Sequence, residues 1–238
     1  MDNNGNGLKS YGQSGLLSDK AANEIVRLII DNGWGEGYKI PNEHELAKKL
    51  NISRNTLREA IRALASHNIV DIRRGDGTYI SKNCGVSKDP LGLRFVRNKS
   101  KLISDLMELR FMIEPELASM AALNREEKYL DELSGLEQMI EKAIAERKPF
   151  EENDIEFHKH IGKMSGNILA ENILLAIVQP LAYLFNEDQN VYERDLVETH
   201  REIVSAIRRK NPDEAHEAMY LHLLYTKKVI RKNAILDI

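Results

Sequence analysis

NEHELAKKLNISRNTLREAIRAL, residues 42–64, carries two short helical patterns separated by a very brief turn. Asn42 stands where a helix N-cap belongs, with Glu45 three residues on in the reciprocal capping arrangement, and the pattern runs through Leu46 and Ala47 to Leu50. Only Asn51 and Ile52 separate it from Ser53, a second N-cap. Beyond Ser53, Leu57, Ile61 and Leu64 share one face at spacings of four and three, which leaves Arg54, Asn55, Thr56 and Arg58 facing away. Two short helices joined tightly, the second opening with polar and basic residues, form a helix-turn-helix pattern.

Upstream, Ser18 precedes a helical pattern through Ala22, Ile25, Val26 and Ile29 that Asn32-Gly33 stops. Downstream, IVDIR and GTYIS flank Arg74-Gly75-Asp76-Gly77, two β-prone runs about a glycine turn, which predicts a hairpin and hence a winged helix-turn-helix. Charge agrees with a DNA partner: His44 to Arg74 holds seven basic residues against three acids. Residues 1–82 hold 12 Lys+Arg against 10 Asp+Glu, and the remainder 22 against 27, so the two parts carry +2 and −5. An Arg near the start of the third helix can donate two bonds to guanine in the major groove, Ser53 and Thr56 can reach phosphates, and Arg74 can enter the minor groove.

Residues 83–88 read as a polar linker and 1–16 as a flexible polar lead-in, which leaves 17–82 as the DNA-binding domain and 89–238 as a second domain. The second domain shows no convincing strand pair. Helices are predicted over about 100–123, 126–146, 150–164, 168–185, 191–209 and 212–233, with a short one near 90–97. The expected fold is therefore mainly α, a winged helix-turn-helix followed by an antiparallel bundle of six to seven helices.

Asp154 and His158, four apart, share a helix face, while His160 points almost oppositely. His200 is followed by Ile203, Val204 and Ile207 at +3, +4 and +7, and His222 shares a stripe with Ala215, Ala218, Met219, Tyr225 and Val229. Three helices can thus aim one carboxylate and three imidazoles into the bundle, a set suited to zinc, nickel or another borderline divalent ion. Spacing alone leaves a hydrogen-bonded polar set equally open. Arg110 lies in a stripe with Leu106, Ile113 and Leu117. It either snorkels or pairs with Glu114 at i+4, or forks onto a ligand carboxylate. His160 and His216 read as surface residues and His67 as part of the turn before the wing.

The whole chain of 238 residues is 42% apolar, 30% charged and 6% aromatic, the profile of a helix-rich globular protein. No run reaches membrane-spanning length and the start, MDNNGNGLKSYGQSG, lacks a secretion signal, so a cytoplasmic location and no membrane partner are expected. The lone Cys84 rules out an intramolecular disulfide and cysteine-rich zinc modules.

IPNEHELAKKLNISRNTLREAIRALASHNIVDIRRGDGTYIS resembles the GntR family of bacterial transcription regulators, and the resemblance implies operator contacts at Ser53, Arg54, Asn55, Thr56, Arg58, Arg74 and Gly75. The family usually has Arg where this chain has His44, so a contact there is expected to be weaker or to depend on histidine charge. DLMELRFMIEPELASMAAL, DIEFHKHIGKMSGN and THREIVSAIRRKNPDEAHEAMYLHL resemble the FCD ligand-sensing domain of the FadR subfamily. By that resemblance Asp154, His158, His200 and His222 hold a divalent metal, zinc first with nickel or manganese as alternatives, and Arg110 meets a small carboxylate or sugar-acid effector. The implied protein is a homodimeric, metabolite-responsive regulator, a repressor by preference, on an inverted-repeat operator. A DNA-binding dimer with a purely structural metal, and a helical metalloenzyme, are the alternative readings.

Overall fold

The computed structural model describes residues 7–82, 84–87, 89–185 and 194–233. The chain divides into two compact units, Met1–Pro90 and Leu91–Ile238. The first is built from α1 (Gly7–Asp31), α2 (Glu43–Leu50), α3 (Arg54–Ser66) and an antiparallel pair, β1 (Val70–Arg73) with β2 (Gly77–Ile80).

Local chemistry sets these boundaries. The Asn42 side chain accepts from the backbone N–H groups of His44 and Glu45, and Ser53 Oγ accepts from Thr56 N–H. Between the helices Asn51 takes a left-handed conformation, φ 52°, which an asparagine tolerates better than most residues, and its N–H bonds back to Lys48. That single residue makes the turn tight enough for α2 and α3 to pack together. Ile25, Leu46, Leu57, Ala60 and Val70 form the centre of the core, so α1, α2, α3 and the base of the wing close on one another. Val70 faces Ile80 across the hairpin, and Arg74, Gly75 and Asp76 make its turn.

Helix α1 begins at Gly7 rather than at Ser18, so part of the expected lead-in is helical. The stretch from Leu8 to Leu17 holds no proline, and extending an existing helix costs far less than nucleating one. Past β2, the expected linker is tied back where it begins: Gly85 N–H donates to Asn68 C=O and Cys84 Sγ–H to Ile69 C=O.

The second unit is helical: a 3₁₀ turn (Leu93–Phe95), then α4 (Lys99–Asn124), α5 (Glu127–Ala145), α6 (Glu151–Met164), α7 (Ala170–Phe185), α8 (Arg194–Arg208) and α9 (Pro212–Asn233). These match the sequence pattern within a few residues, the expected helical positions 191–193 lying outside the described residues. The short helix expected over 90–97 contracts to the 3₁₀ turn. Helix α4 is the hub, packed against α6, α7, α8 and α9, while α6 also packs on α5 and α7. No described helix is long and apolar enough to cross a membrane.

Candidate functional site

In the first unit, Ser53, Arg54, Asn55 and Arg58 stand exposed on α3, with Thr56 half-buried. Arg54 and His44 meet across the α2–α3 turn, one guanidinium nitrogen 2.9 Å from His44 Nδ1, which accepts only when that nitrogen carries no proton. Arg58 donates through Nε to Glu43 Oε2 at 2.7 Å, so part of its charge is compensated before any DNA arrives. The hydroxyls of Ser53 and Thr56 lie 2.9 Å apart and bond to each other. Arg74 and Gly75 sit exposed at the wing tip, where Gly75 has φ 75°.

In the second unit, Asp154 and His158 from α6, His200 from α8 and His222 from α9 converge, with one ligand-capable atom of each within 4.8 Å of all the others. The three imidazoles are buried, and Asp154 retains 20% of its side-chain exposure. Each ring has its Nδ1 engaged. His158 Nδ1 meets Glu114 Oε2 at 2.5 Å, and His200 Nδ1 donates to Leu196 C=O at 2.8 Å. His222 Nδ1 lies 3.0 Å from Thr199 Oγ1, whose own hydroxyl donates to Leu196 C=O, so the imidazole is the donor. The arrangement turns the Nε2 lone pairs inward, that of His158 meeting Arg110 at 3.0 Å, and ligating histidines are ordinarily oriented this way.

The charges are arranged to match. His200 Nε2 lies 3.0 Å from Asp154 Oδ1; with the ring proton committed to Leu196, two acceptors face each other, and such a pair demands a shared cation, a proton or a metal ion. Burial disfavours the Asp154 carboxylate, yet His158, His200 and His222 around it hold its carboxyl well below the usual range. Burial, followed by repulsion from His200 and His158, pushes His222 well below the ordinary imidazole value. Ligands about 2.0–2.2 Å from one ion lie no more than roughly 4.4 Å apart. The four donors therefore close around an ion with small movements, and the residues fit a divalent metal.

Arg110 adjoins this cluster, its guanidinium 3% exposed. It donates through Nε to Glu114 and lies 3.0 Å from His158 Nε2 through a terminal nitrogen. Glu114, 1% exposed, thus bridges the arginine and a histidine of the cluster. Burial raises its carboxyl, but Arg110 and then His158 outweigh that and bring it down to about 2. The i+4 pairing foreseen for Arg110 forms, but inside the protein rather than at its surface.

The sequence reading missed Thr199, and it named Glu114 only as an i+4 partner of Arg110, not as a partner of His158. Glu114 was legible in principle, because it lies four residues after Arg110 and three before Leu117, on the same inward stripe. His160 corrects an expectation: it is buried, not at the surface, its Nε2 donating to Tyr129 C=O at 2.8 Å. Because α6 is packed on opposite sides, the face turned from the cluster meets α5 instead of water. His216 is partly exposed and His67 caps α3, in line with the expectation for each.

Residues 17–80 match the family described as "Bacterial regulatory proteins, gntR family", and residues 105–225 match the FCD domain. A solved structure titled "Streptococcus agalactiae GntR" aligns with a TM-score of 0.75 at 39% identity, covering 89% of this chain and 99% of that one. The chain belongs to the GntR family. The HTH-type transcriptional repressor NanR of Citrobacter rodentium is 29% identical over 220 residues, 87% of this chain and 82% of that protein. Its namesake from Cronobacter sakazakii is 29% identical over 223 residues with the same coverage. This GntR-family chain is accordingly a DNA-binding transcription regulator and not an enzyme, with an FCD domain whose interior holds a cluster capable of binding a metal ion.

Proposed function

We propose that the protein is a metabolite-responsive repressor, acting from the cytoplasm as a homodimer whose paired α3 helices and wings read an inverted-repeat operator. The DNA-reading residues are His44, Ser53, Arg54, Asn55, Thr56, Arg58, Arg74 and Gly75. Asp154, His158, His200 and His222 hold a divalent ion, with zinc the best fit to three imidazoles and one carboxylate. When bound, the ion supplies a fixed positive charge that attracts an anionic ligand. The observation that carries this reading is the facing pair His200 Nε2 and Asp154 Oδ1, set among imidazoles whose other nitrogens are already occupied.

Arg110 supplies the second half of the ligand site. A metal held by His158 through Nε2 would take that lone pair and leave the guanidinium nitrogen now beside it free to bind a ligand. Glu114 keeps the guanidinium plane fixed through Nε, so the freed N–H groups are presented to a carboxylate without a search over rotamers. The effector class is thus a small carboxylate or sugar acid. Regulation requires the acid to bind the DNA-competent and DNA-incompetent forms with different affinity, and release from the operator is the proposed direction.

The test is thermal unfolding of metal-loaded protein against a panel of small carboxylates and sugar acids, beside Arg110→Ala. At about a hundred times its dissociation constant, an effector adds roughly 2.7 kcal/mol. A shift given by one acid, and abolished by the substitution and by chelation, supports the sensor. No shift from any acid with metal bound assigns the metal a structural role.

A further inference from the structure

The tip of the wing contains an acid, Asp76, where a phosphate-facing turn is best served by cations. Its carboxylate is shared between two donors: Lys39 Nζ reaches Oδ1 at 2.9 Å and the Tyr79 hydroxyl donates to Oδ2 at 2.8 Å. Asp76 N–H also bonds Arg73 C=O at 3.1 Å, closing the turn. Lys39 belongs to the strand-like segment before α2, which bridges to Tyr79 of β2. To reach Asp76 it crosses Gly77 so closely that a Cβ there would stand 2.7 Å from Lys39 Cε. The Arg73 guanidinium lies over the Tyr79 ring, 3.9 Å from its centroid. Hydrogen bonds from Lys39 and then Tyr79 hold the Asp76 carboxyl below its usual range.

The result is a division of labour among three cations. Lys39 is tied to Asp76 and Arg73 to the Tyr79 ring. Arg74, next after Arg73 in sequence, is exposed and has no hydrogen-bond or ion-pair partner among the described residues. We propose that Asp76 is a positioning residue for operator binding: through Lys39 and Tyr79 it locks the wing turn so that Arg74 is presented to DNA in one conformation. The proposal rests on the reading of the wing as a DNA-contacting element. It states a sign opposite to simple electrostatics, because the acid strengthens binding although its charge repels phosphate.

The experiment uses the full chain and a duplex selected by the parent protein from a random-sequence pool, with an unselected duplex as reference and fluorescence anisotropy as the readout. Asp76→Asn is expected to weaken binding to the selected duplex roughly 3- to 10-fold, the scale of one or two exposed hydrogen bonds. Tyr79→Phe, which removes one hydroxyl and no charge, is expected to weaken it in the same direction. Glu59→Gln, an acid removed from exposed α3, is expected to leave binding equal or tighter. In an Arg74→Ala background Asp76→Asn is expected to lose its effect, since the lock acts through Arg74; additive losses would mean a merely structural role and overturn the proposal. Equal or tighter binding by Asp76→Asn, with Arg74→Ala still weakening it, overturns the lock and leaves the wing reading standing. No effect of Arg74→Ala removes the wing reading and the lock together.

Discussion

Replacing Glu114 by Gln separates two jobs done by one buried carboxylate. It receives the His158 Nδ1 proton at 2.5 Å and the Arg110 Nε proton, with almost no access to water. A carboxyl brought from 4.5 to about 2 corresponds to about 3 kcal/mol favouring the charged form at neutral pH. Removing one partner of a buried pair costs about 3–5 kcal/mol, and the amide retains an acceptor, so roughly 3 kcal/mol is the expected loss. For a chain of this length that lowers the melting temperature of the metal-free protein by about 6–12 °C. Since Glu114 is depressed, its contribution is complete above about 4.5 and disappears as pH falls toward about 2; the variant lacks that acid-dependent component. The second job is orientation: with Gln the His158 tautomer is no longer dictated, and metal affinity should drop 10- to 100-fold. Competitive titration against a fluorescent chelator measures the affinity, and calorimetry with EDTA measures the stability. Unchanged metal affinity would refute the role given to Glu114 toward His158, and a melting temperature within about 2 °C of the parent would refute the buried-pair arithmetic.

Chelation of metal-loaded protein should lower its melting temperature by about 5–10 °C if the ion was present at a hundredfold excess over its dissociation constant, read by differential scanning fluorimetry. Lowering pH below about 6.5 should destabilise the metal-free protein, because the unfolded chain takes a proton that folded His222 resists, and above that value the residue is neutral in both states. Metal affinity should fall in the same direction, as protons compete for the imidazoles. Leu57→Ala, at a fully buried position of the first unit, should cost about 2–5 kcal/mol and abolish operator binding while a metal-dependent unfolding transition survives. A single transition lost altogether would show that the units do not unfold separately.

The first unit was legible because its determinants are local. Asn42, Asn51 and Ser53 set helix ends by bonds within a few residues, and Leu57, Ile61 and Leu64 repeat at helical spacing. The histidines of the second unit were legible as polar interruptions of apolar stripes. What escaped was the depth of α4 and α6, since that depends on which other helices cover them. Arg110 and Glu114 have the spacing of an ordinary surface pair, and only the helices packed around α4 turn them into an interior one. Likewise His160 follows the polar Lys159 in sequence, and its burial depends on α5 lying across it. Thr199 offered no periodic cue, and its role depends on His222 from another helix.

The way the imidazoles are anchored gives the cluster two jaws. One is α6, with Asp154 and His158; the other is α8, which carries His200 and, through Thr199, also grips the ring of His222 on α9. α8 and α9 pack together and share this tether, so His200 and His222 are fixed to each other as well as to the helices around them. For a bound ion, exchange would require a local opening between the jaws, which costs less than unfolding the whole bundle. An ion bound by these four residues would then exchange while the chain stays folded, which metal-exchange rates measured below the melting temperature would test.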